Sequence, residues 1–279
     1  MKDSARPLRS ALYVPASNAR ALAKARSLDV DAVIVDLEDA VAPSEKTTAR
    51  EAARAVLAAG GFGHRLRVVR INGLDNPWGL DDLDALRGLA FDALLLPKVA
   101  GPDDVVAAAA RLPGVSVWAM VETPAGVLAA PAVAPRVEAL VVGTNDLEEA
   151  LGCRVGPDRG PIAAALQGCV LAARAAGIVC LDGVYNAFRD EDGLRAEAEE
   201  GRTWGFDGKT LIHPAQIAPT NEIFAPSEEA IDLARRQIEA YEAAGGGIAV
   251  LDGRIVENLH VETARRTLAR ADAIAAREG

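Results

Sequence analysis

Two acids in this sequence each follow a short apolar run. Glu122 comes directly after Val115 to Val121, and Asp146 follows Ala139-Leu140-Val141-Val142 and a Gly143-Thr144-Asn145 turn. Apolar runs of that length ending in a polar turn read as buried parallel strands that deliver a carboxylate at their C-terminal tips. On neighbouring strands the two acids would stand side by side. Two hard oxygen ligands with room left for water and substrate suit Mg2+. Either acid alone could cap the helix that follows it, but as an adjacent pair they favour a metal. Asp36, Glu38 and Asp39 follow another apolar run, Ala32 to Val35, and at a strand tip would hold waters bound to that metal. Arg70 ends Leu66 to Val69, and its planar fork suits the carboxylate or carbonyl oxygens of a substrate. Pro97-Lys98, Asp182-Gly183 and His213-Pro214 complete the polar residues at such tips, with His213 at least as suited to a structural role as to a catalytic one.

The elements that would position these groups are eight strand candidates, at 12–14, 32–35, 66–69, 93–96, 115–120, 140–142, 178–181 and 208–212, separated by Ala-, Leu-, Arg- and Glu-rich stretches with helical spacing. Strand and helix alternating eight times predicts an α/β protein with a (β/α)8 TIM barrel, whose strand C-termini form the active face. An open doubly wound sheet is the weaker alternative, since no Gly-rich phosphate loop follows the first strand. The barrel accounts for residues 1–225. Residues 226–279 predict a C-terminal capping or swapped extension of helix, hairpin and helix, with Ser227 as a cap and Asp252-Gly253 as the hairpin turn.

Half of the 279 residues are hydrophobic, enough for a large core, and no stretch reads as a secretion signal or a membrane span. A cytoplasmic protein is expected. The net charge of −10 without a basic cluster argues against nucleic acid as a partner. Cys153, Cys169 and Cys180 lack metal-ligand spacing and read as reduced structural thiols.

The stretches 9–15, 31–41, 69–72, Leu96-Pro97-Lys98, Glu122-Thr123-Pro124-Ala125-Gly126, Gly143-Thr144-Asn145-Asp146-Leu147 and 205–214 resemble the citrate lyase β-subunit-like (CitE-like) branch of the HpcH/HpaI aldolase family, which is similar to the malyl-CoA and citramalyl-CoA lyases. The resemblance implies a homotrimeric TIM barrel that uses Mg2+ to make or break a carbon–carbon bond beside a CoA thioester, with an acyl-CoA and a small oxo acid as the other partners. By carry-over Glu122 and Asp146 bind the metal, Glu122 also contacts substrate, Arg70 binds substrate and stabilises an enolate, and Glu38 and Asp39 order metal-bound waters. Arg20 and Lys24, one helical turn apart in the first βα unit, would meet the CoA phosphates.

Two departures stand out. The lyases carry Asp-x-Pro after the tail hairpin, reaching over a neighbouring subunit's site, whereas here the run is Ile255-Val256-Glu257-Asn258-Leu259. Glu257 keeps a carboxyl as candidate acid/base, but its extra methylene displaces the proton by about an ångström, a shift able to cost on the order of a hundredfold in rate. Leu147-Glu148-Glu149-Ala150 also lacks a lysine expected from close relatives, which bears on substrate or CoA preference. The sequence therefore favours a Mg2+-dependent lyase of malyl-CoA, citramalyl-CoA or citryl-CoA. Its rivals are a thioesterase using the same metal and pocket, an auxiliary subunit without activity of its own, and a metal-dependent aldolase of free 2-oxo acids.

Overall fold

The computed structural model describes residues 6–156 and 158–278, which fall into two compact units, Leu8–Glu222 and a C-terminal unit beginning at Ile223 that also takes residues 6–7. In the first unit the chain runs β1 (Ser10–Pro15), α1 (Ala19–Ala25), β2 (Ala32–Asp36), α2 (Lys46–Ala59), β3 (Leu66–Arg70), α3 (Gly79–Leu86), β4 (Ala93–Leu96), α4 (Pro102–Arg111), β5 (Ser116–Val121), α5 (Pro124–Val133), β6 (Ala139–Val142), α6 (Thr144–Leu151), α7 (Ala163–Ala176), β7 (Val179–Asp182), α8 (Glu191–Trp204) and β8 (Gly208–Leu211). All neighbouring strands are parallel, and β1 pairs with both β2 and β8, so the sheet closes into an eight-stranded barrel.

Side chains alternate across a strand, so one set points into the barrel and the other under the helices. The inner set is Ala11, Ala32, Ile34, Val68, Ala93, Leu95, Trp118, Met120, Ala139, Val141 and Leu181, a packed core with Tyr13 against it. Two residues further along β2, β3 and β5 the same inward alternation reaches Asp36, Arg70 and Glu122. The register makes Asp36 the direct neighbour of Arg70.

Between β7, β8 and α8 lies a second polar layer. Lys209 is fully buried there and pairs with Asp182 (3.1 Å) and Glu197 (2.6 Å), while Arg159 donates to both Asp182 oxygens at 2.8 Å. Asp182 is thus turned under α8, where a Cβ on Gly201 would come within 2.7 Å of it, rather than toward the inner face.

After α9 (Ile217–Phe224), most of which belongs to the first unit, the C-terminal unit comprises α10 (Glu228–Ala243), β9 (Ala249–Leu251), β10 (Arg254–Val256) and α11 (Asn258–Glu278). Ser227 caps α10 by accepting from the Ala230 amide at 3.2 Å. Asp252 and Gly253 both have positive φ, the backbone that closes a tight hairpin between antiparallel β9 and β10. Ala249, Val256 and Val261 pack with Ile238, Tyr241 and Leu251 into this unit's own small core. Among the described residues no helix is long and apolar enough to cross a membrane. Cys153, Cys169 and Cys180 are free thiols, and burial pushes Cys169 up to about 12.

Candidate active site

Arg70 organises the polar end of the barrel. Its Nε and Nη2 donate to the two oxygens of Asp36 at 2.7 Å each, and its guanidinium lies 4.7 Å above the centre of the Tyr13 ring. Burial opposes the charge, but Asp36 outweighs it and holds Arg70 well above its usual range. Asp36 is saturated in turn, since its oxygens also accept from the Glu38 and Ala40 amides. The Nη1 of Arg70 donates to Met120 Sδ at 3.7 Å and lies 3.0 Å from Glu38 Oε2 and 3.5 Å from Asp39 Oδ2.

The turn carrying Glu38 and Asp39 is fixed from below. Lys46, buried at the start of α2, donates to the Leu37 and Glu38 carbonyls at 2.8 and 2.7 Å, and Asn72 Nδ2 reaches the Leu37 carbonyl at 2.9 Å. Asp39 is half-exposed at the rim while Glu38 is buried. Burial, opposed by Arg70, pushes Glu38 up to about 7. Arg70 Nη1 is close to Glu38 Oε2 as an ion pair but off the hydrogen-bonding direction, so that oxygen has no hydrogen-bond partner among the described residues.

Glu122 is fully buried just past β5, and Thr123, not Glu122, caps α5 by accepting from the Gly126 amide at 3.0 Å. Its Oε1 accepts from the Lys98 backbone amide at 2.7 Å. Its Oε2 is buried without a partner among the described residues. The space comes from Gly143: a Cβ there would stand 2.5 Å from both the Cβ and the Oε2 of Glu122. The Gly143 amide bonds the Val121 carbonyl, which brings the glycine alongside. Burial, with Glu38 and Asp146 close by, drives Glu122 up to about 8. Asp146 lies in the first turn of α6 with 34% of its side chain exposed; it too is raised, by burial and then Asp39. Lys98 closes the ring of acids, its ammonium 3.3 Å from Glu38 Oε1 and 3.9 Å from Asp146 Oδ1.

A buried carboxylate oxygen left without a donor is costly unless a cation meets it. The orphaned Glu122 Oε2, the glycine that makes room for it and the acid next to it fit a hard divalent ion. Mg2+ is commonly held by one or two carboxylates while keeping several waters, and Glu122 with Asp146 offers such a pair.

The structure thus gathers Glu38, Asp39, Arg70, Glu122 and Asp146 at one mouth. Arg20 and Lys24 are exposed on α1 and form no ion pair with any described residue. His213 Nδ1 accepts from the Ala215 amide, and its ring stacks on Phe188 with centroids 4.6 Å apart, a structural use. Glu257 precedes α11 in the C-terminal unit, exposed, with its amide donating to His260 Nδ1. Sequence reasoning assigned no role to Lys46, Tyr13 or Lys98. Only Lys98 carried a signal, its place after β4.

Residues 9–214 match the HpcH/HpaI aldolase/citrate lyase family. Over 99% of both chains the protein is 55% identical to a (3S)-malyl-CoA thioesterase of Cereibacter sphaeroides, and it is 33% identical to an L-malyl-CoA/beta-methylmalyl-CoA lyase of the same species over 98% of this chain and 97% of that one. The solved structure of CitE from Mycobacterium tuberculosis in complex with magnesium, acetoacetate and coenzyme A superposes with a TM-score of 0.82 at 31% identity, covering 96% of this chain and 99% of that one. By matched span, full-length identity and shared barrel, the chain belongs to the HpcH/HpaI aldolase/citrate lyase family.

Proposed function

We propose that the protein hydrolyses the thioester of a short hydroxyacyl-CoA acid of the malyl-CoA type, in a Mg2+-dependent reaction at the barrel mouth. The observation that carries this choice is the gap between 55% identity to a malyl-CoA thioesterase and 33% to a malyl-CoA lyase, both over nearly the whole chain. Glu122 and Asp146 would hold the metal, which supplies a positive charge that binds and polarises substrate oxygens.

The protein's own groups do the rest. The Arg70 guanidinium, whose Nη1 lies 3.0 Å from Glu38, would meet the charge that develops on the thioester carbonyl oxygen when water adds to its carbon. Glu38, with one oxygen that accepts no hydrogen bond among the described residues and a carboxyl near 7, takes the proton from that water at neutral pH, and Asp39 holds the water at the rim. The carbon–sulfur bond then breaks, the thiolate leaves, and the proton held by Glu38 returns to it as CoA is released beside the free dicarboxylic acid. Arg20 and Lys24 on α1 would meet the CoA phosphates.

The second reading, carbon–carbon cleavage, draws on Glu257, which retains a carboxyl where the lyases carry an acid. Cleavage leaves a thioester enolate that must be protonated on carbon, and Glu257 of a neighbouring copy would be its proton donor. Product analysis separates the two. Purified protein with (3S)-malyl-CoA and Mg2+ is expected to release one free thiol per malate and no glyoxylate. Glyoxylate with acetyl-CoA and no thiol would replace hydrolysis by lysis, and silence in both channels would favour an auxiliary subunit.

A further inference from the structure

We propose that Lys98 is an exchangeable cation built into the metal site: its ammonium pairs with Glu38 and Asp146, and a divalent ion bound between Glu122 and Asp146 competes with it for those acids. The inference rests on the metal reading above and goes beyond it by assigning a residue that competes with the ion.

Lys98 adopts φ +51°, the left-handed conformation that is strained for a residue bearing a side chain. That backbone places its amide 2.7 Å from Glu122 Oε1, which fixes the carboxylate so that Oε2 is left to the site. A glycine would give the same amide without strain. What lysine adds is the ammonium, and it goes to the other acids, 3.3 Å from Glu38 and 3.9 Å from Asp146. One strained residue therefore touches three carboxylates, two of them the metal ligands.

The cations around this mouth differ in their freedom to leave. Arg70 is pinned by Asp36 and stacked on Tyr13, and Lys46 is buried against two carbonyls. The Lys98 side chain is 47% exposed on a flexible stem, so it can swing to solvent without opening the core. An ammonium and a divalent ion drawing on the same Asp146 carboxylate repel each other, so binding of the ion favours release of the lysine, and the lost pairing weakens metal affinity. Once expelled, the ammonium sits at the rim as a free cation for an anionic substrate.

The test is Mn2+ binding to metal-stripped wild type, Lys98→Gly, Lys98→Gln and Glu122→Gln, read at constant ionic strength from the electron paramagnetic resonance of free Mn2+. Lys98→Gly keeps the amide to Glu122 and removes both strain and charge, whereas Lys98→Gln removes the charge alone. Both are expected to bind Mn2+ about two- to fivefold more tightly than wild type, the scale of one half-exposed ion pair. Unchanged or weaker binding by Lys98→Gly, with wild type binding normally and Glu122→Gln not at all, would overturn the exchange and leave the metal site standing. Wild type that binds no better than Glu122→Gln would overturn both.

Discussion

Glu122 is the residue whose environment is furthest from that of a free carboxylate. Burial, and then its neighbours, raise it to about 8 from an ordinary 4.5, while Glu38 is raised to about 7. The unfolded chain gives up these protons near 4.5, whereas the metal-free fold keeps them until about 7 to 8, so stability falls as pH climbs through that window and levels off above it. Metal-free protein should therefore melt lower at about pH 8.5 than at about pH 6, and Mg2+ should raise Tm more at the higher pH. Glu122→Gln should flatten most of this slope and abolish the Mg2+ effect. A variant as pH-sensitive and as metal-responsive as wild type would remove Glu122 from the site. Arg70→Ala, by stranding buried Asp36, is expected to cost about 3–5 kcal/mol in denaturant unfolding along with all activity; a loss under about 1 kcal/mol would mean the pair contributes little.

At the scale of elements, the site depends on which strand positions face inward and on one glycine. Gly143→Ala adds a methyl where only hydrogen fits, displacing Glu122 or β6. The expected loss is about 1–3 kcal/mol in stability together with metal binding. Calorimetric Mg2+ binding equal to wild type would show that the mouth yields more easily than its packing indicates. Much of this level was legible in the sequence: the apolar runs before Asp36, Arg70, Glu122 and Asp146 marked strand tips, and closure puts strand tips together. What was not legible depends on direction. Asp182 also follows an apolar run, yet it points under α8 to Arg159 and Lys209, because strand alternation decides facing and the four-residue strand gave no polar–apolar contrast to read it from. Lys46 and Tyr13 act through contacts distant in sequence, which local pattern does not encode.

For the molecule as a whole, the barrel carries the acids, the arginine and the lysine, and the C-terminal unit carries Glu257. Hydrolysis and carbon–carbon cleavage make different demands on that arrangement. A thiolate leaves as a stable anion, whereas an enolate must be protonated on carbon. Glu257→Gln should therefore leave thiol release from malyl-CoA within about threefold of wild type, since loss of a true general acid costs about a hundredfold or more. A loss of that larger size would bring the tail residue into the chemistry.

The central claim is that Glu122 and Asp146 form a metal site on which turnover depends. It is tested most directly by stripping the protein with a chelator and titrating Mg2+ back while following thiol release from malyl-CoA, for wild type and for folded Asp146→Ala. Wild type should be silent without metal and recover saturably with it, and Asp146→Ala should not recover. Full turnover of the stripped protein, or undiminished Mg2+-dependent turnover by Asp146→Ala, would contradict the claim.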